Sequence, residues 1–366
     1  MNTDHIVNTV CRLGRSLKAK VGYLYRSLQP SNIMQRYLRP LILTLSIRHV
    51  HGLRQIDYDI DELIVLCVVR NGESYIKSFI EHHFKLGIKH IIFLDNNSTD
   101  NTVAIACEYQ DITILKTKCP YRKYETFMKR YLVNRFSRER WNLFADIDKL
   151  FDYPFSEQLS LKQLLQYLNK HSYTAVLCQM LDMFSDKPLA FEAKKNTPPQ
   201  EAYSYYDISN LRKERYPTAY SATQENIYWH IGGIRKTFFD TDNYITKASL
   251  VLLDKKIELF VDCHQVKQAS VADLTCILFH YPFTPSFFHK VMDAVKTDRY
   301  AMSASGEYTL YWEKLKKDDA FSMKLETAKE LKNINDLIAE DFLVVSEAYR
   351  QWVDLEQANN TNSIGA

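Results

Sequence analysis

Four apolar runs, each followed by polar residues, constrain the fold of this chain most strongly. They cover residues 63–69, 88–94, 112–115 and 141–145, and amphipathic segments that suit helices lie between them. The first run shows no alternation of polar and apolar residues, which is typical of a strand that is covered on both faces, as in a parallel sheet. Repeated strand–helix–strand units of this length predict an α/β fold with a doubly wound, mainly parallel sheet.

Polar residues follow three of these runs where each predicted strand ends. Arg70, Asp95 and Asp146 should meet at one edge, where doubly wound sheets bind their ligands. Asp146 and Asp148 lie one residue apart in an extended segment, so both side chains can face one ligand. Two carboxylates suit a hard divalent cation that carries phosphates. An isolated Asp-x-Asp is more often a surface turn, so the convergence of three polar turns carries this prediction.

The N-terminal segment is strongly basic. Residues 1–56 contain nine lysine and arginine residues and one acid, Asp4, so their charge is +8 and that of the remainder is −5. Apolar residues spaced three or four apart from Ile6 to Leu28 predict an amphipathic helix. Two interpretations stay open: an arm that packs on its own domain or on a partner in a homodimer, and a peripheral contact with anionic lipid. Nucleic acid is disfavoured, because no recognised nucleic-acid motif accompanies the basic residues.

The cysteine content favours a cytoplasmic protein. The seven cysteines are odd in number and show no C-x-x-C pairing, which is typical of buried free thiols in a reducing compartment. Together with the basic arm, this predicts a cytoplasmic location, with a peripheral position on the inner face of the cytoplasmic membrane as an option. The N-terminal segment lacks the continuous apolar stretch of a signal peptide.

The polar turns resemble motifs of family 2-type glycosyltransferases with the GT-A fold, in particular a bacterial subgroup with R-N-E, D-N-x-S-T-D and D-x-D motifs. The matching segments are Val69–Glu73, Asp95–Asp100 and Phe144–Asp148, and the similarity is strongest over residues 62–155. Weaker similarity continues at Gly232–Arg235, Thr246–Lys247 and Leu278–Tyr281. The chain departs from the subgroup at Gly72, an extra residue in the first turn, and at Lys149, where the subgroup usually has glutamate.

This resemblance implies sugar transfer from a nucleotide-sugar donor (a UDP-, GDP- or dTDP-sugar) to a glycan or a lipid-linked oligosaccharide. The expected setting is bacterial capsule, lipopolysaccharide or other surface polysaccharide synthesis. Mn²⁺ or Mg²⁺ would be held by Asp146 and Asp148, both of them catalytic, and would neutralise the leaving diphosphate. A late histidine often completes such a metal site, and we favour His280 over His264. The donor-binding residues implied by the resemblance are Arg70, Asn71, Glu73, Asp95, Asn96 and Asp146.

An irregular segment at residues 182–229, interrupted by prolines and rich in tyrosine, suits an acceptor site. An inverting transfer needs a carboxylate that takes the proton of the acceptor. Glu225, Asp240 and Asp242 are the candidates, and the sequence does not choose among them.

The domain prediction follows from these segments. We expect a basic helical arm (1–60), a GT-A domain (61–284), a C-terminal helical extension (285–356) and a disordered tail (357–366). Residues 61–155 would form the nucleotide-sugar-binding half of the GT-A domain, and residues 156–284 its acceptor side.

Two alternative functions remain. A nucleotidyltransferase would need a glycine-rich phosphate loop after the first strand, where this chain has Arg70–Glu73. A non-catalytic protein that binds a nucleotide-sugar or a glycan on the same fold is conceivable because Lys149 stands beside the proposed metal ligands.

Overall fold

The structure, a computed structural model, describes residues 34–189, 197–217, 226–252, 258–259, 264–297, 302–317 and 321–364. The chain divides into two compact units, Met1–Ile47 and Arg48–Ala366. The predicted amphipathic helix between Ile6 and Leu28 lies outside the described residues. In the described part of the first unit, a π-helix (Met34–Leu38) leads into helix α1 (Arg39–Ser46), which has Pro40 in its first turn. Proline suits this position because the first helical N–H groups have no partner within the helix.

The second unit contains the central sheet. The described strands are β1 (Arg48–His51), β2 (Ile64–Val69), β3 (His90–Asp95), β4 (Ile112–Lys116), β5 (Trp141–Phe144), β6 (Lys149–Asp152), β7 (Ala175–Asp182), β8 (Tyr205–Tyr206), β9 (Leu211–Arg215), β10 (Tyr228–Gly232), β11 (Thr246–Leu252), β12 (Glu258–Leu259), β13 (Val266–Lys267), β14 (Val271–His280) and β15 (Lys329–Glu330). Nine of them form one sheet in the order β1-β4-β3-β2-β5-β11-β7-β14-β6.

Helices connect and extend these strands. Those described in the second unit are α2 (Glu73–Lys85), α3 (Thr102–Ala106), α4 (Tyr121–Phe136), α5 (Leu161–Lys170), α6 (Pro199–Ala202), α7 (Ile234–Phe239), α8 (Ser286–Thr297), α9 (Met302–Leu315), α10 (Asp336–Ala339) and α11 (Glu347–Ile364). Helix α5 shows how the local sequence sets a boundary. Ser160 accepts a hydrogen bond from the backbone N–H of Gln163, and the Gln163 side chain accepts one from the backbone of Ser160, which completes a capping box.

The sheet is mixed but mostly parallel. Strands β2 to β5 run in the same direction, and so do β7 and β14, which pair with each other in parallel. Strands β1, β11 and β6 run the other way, so six of the nine strands share one direction. The four apolar runs of the sequence form β2 to β5. Their side chains are almost entirely buried, as expected of strands that are covered on both faces. The predicted α/β fold with a mainly parallel sheet is therefore confirmed.

Three predicted boundaries differ from the structure. Strand β1 is an edge strand and pairs with β4, so the sheet begins at Arg48, inside the segment that we assigned to the arm. The extension expected to be helical over 285–356 contains, from Phe321 onwards, an irregular stretch with the short elements β15 and α10 before α11 begins. The tail expected to be disordered from residue 357 is helical as far as Ile364.

Side-chain hydrogen bonds explain why the last helix extends so far. In α11, Trp352 donates to the carbonyl oxygen of Gln163 (3.2 Å) and Glu356 accepts from the amide of the same residue (2.6 Å). Gln357 donates to the side chain of Gln158 (2.9 Å). Polar residues that suggested a solvated tail therefore attach this helix to the domain. Within the described residues, no helix is both long enough and apolar enough to cross a bilayer.

Candidate active site

The structure brings the predicted acidic pair to the carboxyl edge of the sheet. Strand β5 ends at Phe144, and the chain then turns through Asp146–Asp148 into β6, with the N–H of Lys149 donating to the carbonyl oxygen of Asp146 (2.9 Å). Strand β6 pairs with β14 so that Lys149 lies opposite His280, and β14 pairs with β7 so that His280 lies beside Asp182. A lysine, a histidine and an aspartate thus form a row across three neighbouring strands.

Asp146 forms ion pairs with two lysines. Its Oδ2 accepts hydrogen bonds from Nζ of Lys149 and Nζ of Lys247, the latter at 3.1 Å. Burial alone would raise the pKa of Asp146, but the two ammonium groups outweigh this effect and hold it well below its usual range. Burial lowers the pKa of Lys149 to about 8, against the opposing attraction of Asp146. The pair therefore exists as ions at neutral pH.

Asp148 lies between a lysine and a histidine. Its Oδ2 is 3.0 Å from Nζ of Lys290 on α8 and 3.4 Å from Nε2 of His280 at the end of β14. Burial opposes ionisation here too, but the ammonium group of Lys290 holds the pKa of Asp148 well below its usual value. The backbone carbonyl of Asp148 accepts from the N–H of Tyr281 (2.9 Å), which fixes the loop against the end of β14.

A buried network orients His280. Arg235 on α7 donates from Nε and Nη2 to the two oxygens of Asp182, both at 2.7 Å, and Nδ1 of His280 lies 2.6 Å from Oδ1 of the same carboxylate. Nη2 of Arg235 also lies 3.0 Å from Nδ1 of His280. Burial would raise the pKa of Asp182, but Arg235 and His280 hold it far below its usual range. Because this carboxylate is ionised, the short contact requires Nδ1 of His280 to carry the proton and to donate it.

The position of this proton decides whether His280 can help to hold a divalent cation. When the ring of His280 is neutral and its proton is on Nδ1, the lone pair of Nε2 points towards Oδ2 of Asp148, 3.4 Å away. Two acceptors that face each other at this distance suit a cation between them, and a carboxylate that holds the other ring nitrogen is the usual second shell of a metal-bound histidine. No described group of three or more histidine, cysteine and acidic residues could enclose a metal. Magnesium sites often need only one or two protein ligands, because substrate phosphates and water complete them.

The other predicted metal ligands occupy different positions. Nδ1 of His264 donates to the carbonyl oxygen of Thr246 (2.7 Å), at the start of β11, whereas His280 is the histidine that faces Asp148. Asp146 faces ammonium groups. Asp148 also faces an ammonium group, that of Lys290, but it is the acid that lies opposite a histidine, so Asp148 and His280 are the residues that could hold a cation.

The first turn and the second loop, both predicted to hold the nucleoside, are bound to each other. Oδ1 of Asn71 accepts from the N–H of Thr99 (2.9 Å), and the carboxylate of Glu73 accepts from the backbone and the side chain of Asn101 (3.0 and 2.8 Å). Arg70 lies exposed at the start of the turn. Asn71 and Glu73 thus fix the shape of this edge by joining two loops that are distant in the sequence.

Asp95 and Asn96 are buried beneath the same loops. The carboxylate of Asp95 accepts from the N–H of Ser98 (3.0 Å) and pairs with Lys116 (3.2 Å). The amide of Asn96 donates to the carbonyl oxygen of Cys119 (2.8 Å). Both side chains therefore stabilise the loop after β3, whereas Arg70, Asn71 and Glu73 are exposed.

The extra glycine of the first turn has a steric role. A Cβ atom at Gly72 would lie 2.8 Å from Cγ2 of Val69 and 3.0 Å from Cγ1 of Ile147. Ile147 separates the two acids of the pair, so the first turn packs directly against the Asp146–Asp148 loop. Gly72 permits this close approach.

Two of the three candidate general bases lie beside the same lysine. Glu225 lies outside the described residues. Asp240 and Asp242 both pair with Lys236 on α7, at 2.7 and 3.2 Å, and the side chain of Asp240 is 87% exposed. Hydrogen bonding from Lys236 lowers the pKa of Asp240, which makes it a weaker base.

Sequence reasoning missed two functional candidates, Asp182 and Arg235. Arg235 ends the Gly232–Arg235 motif, which we noted without assigning a role to it. Asp182 ends an apolar strand in the same way as Asp95 does, and this was the available signal.

Comparison with known proteins identifies the domain. The model of glycosyl transferase family 2 matches residues 64–240, a segment that runs from β2 to the end of α7. Residues 64–240 therefore match this family, which confirms the sequence-based recognition of a family 2 glycosyltransferase with a GT-A-like fold. A comparison with curated proteins finds no match.

Solved structures with detectable similarity are distant. S. aureus TarS 1–349 is 18% identical, with a TM-score of 0.28 over 35% of this chain and 40% of that chain. S. aureus TarS is 14% identical, with a TM-score of 0.33 over 71% and 44%. Glucosyl-3-phosphoglycerate synthase from Mycobacterium tuberculosis, in complex with Mn²⁺, UDP and glucosyl-3-phosphoglycerate, is 15% identical, with a TM-score of 0.21 over 36% and 50%. The chain thus spans half or less of the length of each of these proteins.

Proposed function

We propose that the protein is a glycosyltransferase that moves a sugar from a nucleotide-sugar donor to a glycan or a lipid-linked oligosaccharide, in the synthesis of a bacterial surface polysaccharide such as capsule or lipopolysaccharide. The observation that carries this proposal is the pairing of Asp148 with a correctly oriented His280 at the carboxyl edge of a family 2 domain. The polysaccharide setting rests on the resemblance of the motifs to a bacterial subgroup.

Each part of the site has a role in this proposal. A divalent cation, Mn²⁺ or Mg²⁺, held by Asp148 and His280 would neutralise charge on the departing diphosphate. Asp182 keeps the proton of His280 on Nδ1, and Arg235 keeps Asp182 ionised and in place. The nucleoside would lie along the edge formed by Arg70 and the joined loops that contain Asn71, Glu73, Asp95 and Asn96.

The transfer itself would invert the anomeric centre. The acceptor oxygen forms a bond to the anomeric carbon while the bond from that carbon to the diphosphate oxygen breaks, and the nucleoside diphosphate leaves. The proton of the acceptor hydroxyl passes to a carboxylate, for which Glu225, Asp240 and Asp242 are the candidates. Tyrosines near β8 to β10 would offer ring faces to the acceptor sugar.

A donor panel tests this function. Purified protein with Mn²⁺ is incubated with UDP-, GDP-, dTDP- and CMP-sugars, and the release of nucleotide is measured. We expect slow hydrolysis of one donor class, because water can replace the acceptor. Failure to bind or hydrolyse any donor would contradict the enzyme proposal. Binding without hydrolysis or transfer would favour the second candidate, a non-catalytic nucleotide-sugar-binding protein, for which the pairing of Asp146 with two lysines is the supporting observation.

We also propose that the N-terminal arm contacts an anionic membrane surface from the cytoplasmic side. In the described part of this arm, Tyr37, Leu38, Leu41 and Leu45 are exposed close in sequence to Arg39. Exposed apolar side chains beside basic ones suit the boundary between lipid headgroups and acyl chains.

The membrane proposal predicts the behaviour of a double variant, Leu41→Asp with Leu45→Asp. Its partition onto phosphatidylglycerol vesicles should be at least about tenfold weaker, because two apolar side chains no longer enter the lipid. Vesicle sedimentation at low salt measures this, and added salt should weaken binding of the unchanged protein. Leu355→Asp, at an exposed leucine of α11, is the matched control. Equal partition of all three proteins would instead favour an arm that packs on its own domain or on a partner.

A further inference from the structure

We propose that Lys149 and Lys247, held in place by Asp146, bind the diphosphate of the donor directly, so that the site binds nucleoside diphosphates without a divalent cation. This inference rests on the proposed function and concerns how the same site holds its donor. Asp146 is a positioning residue in this proposal.

The charge balance of the site supports direct binding. Three ammonium groups, those of Lys149, Lys247 and Lys290, contact two carboxylates, Asp146 and Asp148, so the cluster has a net charge of +1 when His280 is neutral. An Asp-x-Asp pair without lysines would carry two negative charges and repel a diphosphate, which makes a cation necessary. Here the protein itself supplies the positive charge.

The arrangement of the two lysines also supports direct binding of the diphosphate. Lys149 lies on β6 and Lys247 on β11, yet both ammonium groups meet at Oδ2 of Asp146. Only 7% and 16% of the two lysine side chains are exposed, whereas 38% of the Asp146 side chain is exposed. The strands and the surrounding core therefore fix the lysine stems, and little conformational entropy remains to be lost when a phosphate binds.

The surroundings of the two lysines also indicate from which side a phosphate group can reach them. A cavity of about 20 Å³, lined by Lys129, Asp146 and Lys247, lies beside this pair. That volume accommodates one water molecule. A phosphate group would therefore reach the two ammonium groups from the exposed side of Asp146 and share them with its carboxylate, since each ammonium group has three N–H donors.

This assignment separates the roles of the two acids. Asp148 faces the Nε2 lone pair of His280 and fits a cation, whereas Asp146 faces two ammonium groups that fit phosphate oxygens. Lys149, which replaces the glutamate usual in the subgroup, makes the difference. A cation bound at Asp148 and His280 would add to donor binding that the lysines already provide.

Isothermal titration calorimetry of the full-length protein with UDP, GDP and dTDP tests the inference, once with EDTA and once with Mn²⁺. We expect the nucleotide that binds best to bind in EDTA with a Kd within about tenfold of its Kd in Mn²⁺. In the double variant Lys149→Gln with Lys247→Gln, binding in EDTA should weaken by at least about 100-fold, because two charge-assisted contacts are lost. Lys149→Glu should bind the nucleotide in Mn²⁺ only.

The controls separate the possible outcomes. Lys89→Gln, at an exposed lysine paired with Glu62 at the opposite end of β3, should leave binding unchanged. If the double variant does not fold, the single variant Lys247→Gln should still weaken binding in EDTA at least about tenfold. Binding of the unchanged protein in Mn²⁺ alone, or undiminished binding by the lysine variants in EDTA, would overturn the inference and leave the proposed function intact. Failure to bind any nucleotide under either condition would contradict the proposed function.

Discussion

Replacing Asp148 with asparagine is expected to lower the rate of sugar transfer by at least about 1000-fold. The change removes the carboxylate that faces Nε2 of His280, and with it one of the two protein groups that fit a divalent cation. Electrostatic stabilisation of a leaving diphosphate is worth several kcal/mol, and each 1.4 kcal/mol corresponds to a factor of ten in rate. The stimulation of nucleotide binding by Mn²⁺ should disappear together with the activity.

The fold should survive this substitution. Asparagine has the same shape as aspartate, and the partly exposed Lys290 can turn its ammonium group towards water once its partner is neutral. Thermal unfolding checks this expectation. Asp61→Asn, at a partly exposed ion pair with Lys162 that precedes β2, is the matched control and should keep full activity. Turnover within tenfold of the unchanged protein in Asp148→Asn would show that this residue does not hold a cation.

The sheet could be predicted from the sequence because its signal is local. The run of β2 is unbroken, and those of β3 to β5 contain only isolated polar residues such as His90, Thr113 and Asn142, which are buried on the covered faces of the sheet. The C-terminal region was harder to predict. Its last helix is stabilised by amide side chains such as Gln357, which bonds to Gln158, and a polar residue has the same appearance in a sequence whether it meets water or another amide.

The acidic pair of the site was predictable, but the partners of the two acids were not. Asp146 and Asp148 are two positions apart, so their shared direction follows from the geometry of an extended chain. Asp182 and His280 are 98 positions apart and meet only because β7 pairs with β14 in parallel. Lys247 reaches Asp146 from a strand 101 positions further along the chain. Sequence periodicity cannot supply such pairings, since they depend on the order of strands in the sheet.

The sequence did contain one signal that we could interpret only with the structure. Lys149 departs from the subgroup beside the proposed metal ligands, and by itself it suggested a weakened cation site or a loss of catalysis. In the structure its ammonium group contacts Asp146, together with that of Lys247, while Asp148 keeps its position opposite His280. The substitution therefore gives one acid a further lysine partner, while the other acid, which pairs with Lys290, stays opposite the histidine that could share a cation with it.

The second prediction concerns the buried pair behind His280. Arg235→Met should lower the free energy of unfolding by about 3–5 kcal/mol, because the buried carboxylate of Asp182 loses both hydrogen bonds from the guanidinium. Urea unfolding measures this change. Transfer activity of the folded fraction should fall as well, since Asp182 would no longer be held against Nδ1 of His280.

A double variant separates the two effects of this substitution. Asp182→Asn combined with Arg235→Met removes both charges, so most of the lost stability should return, and the asparagine oxygen can still accept from Nδ1 of His280. Lys213→Met, which breaks an exposed ion pair with Asp341, is the control and should change the free energy of unfolding by no more than about 1 kcal/mol. A similarly small loss in Arg235→Met, or a double variant less stable than this single one, would contradict the buried ion pair and with it the oriented histidine on which the proposed cation site depends.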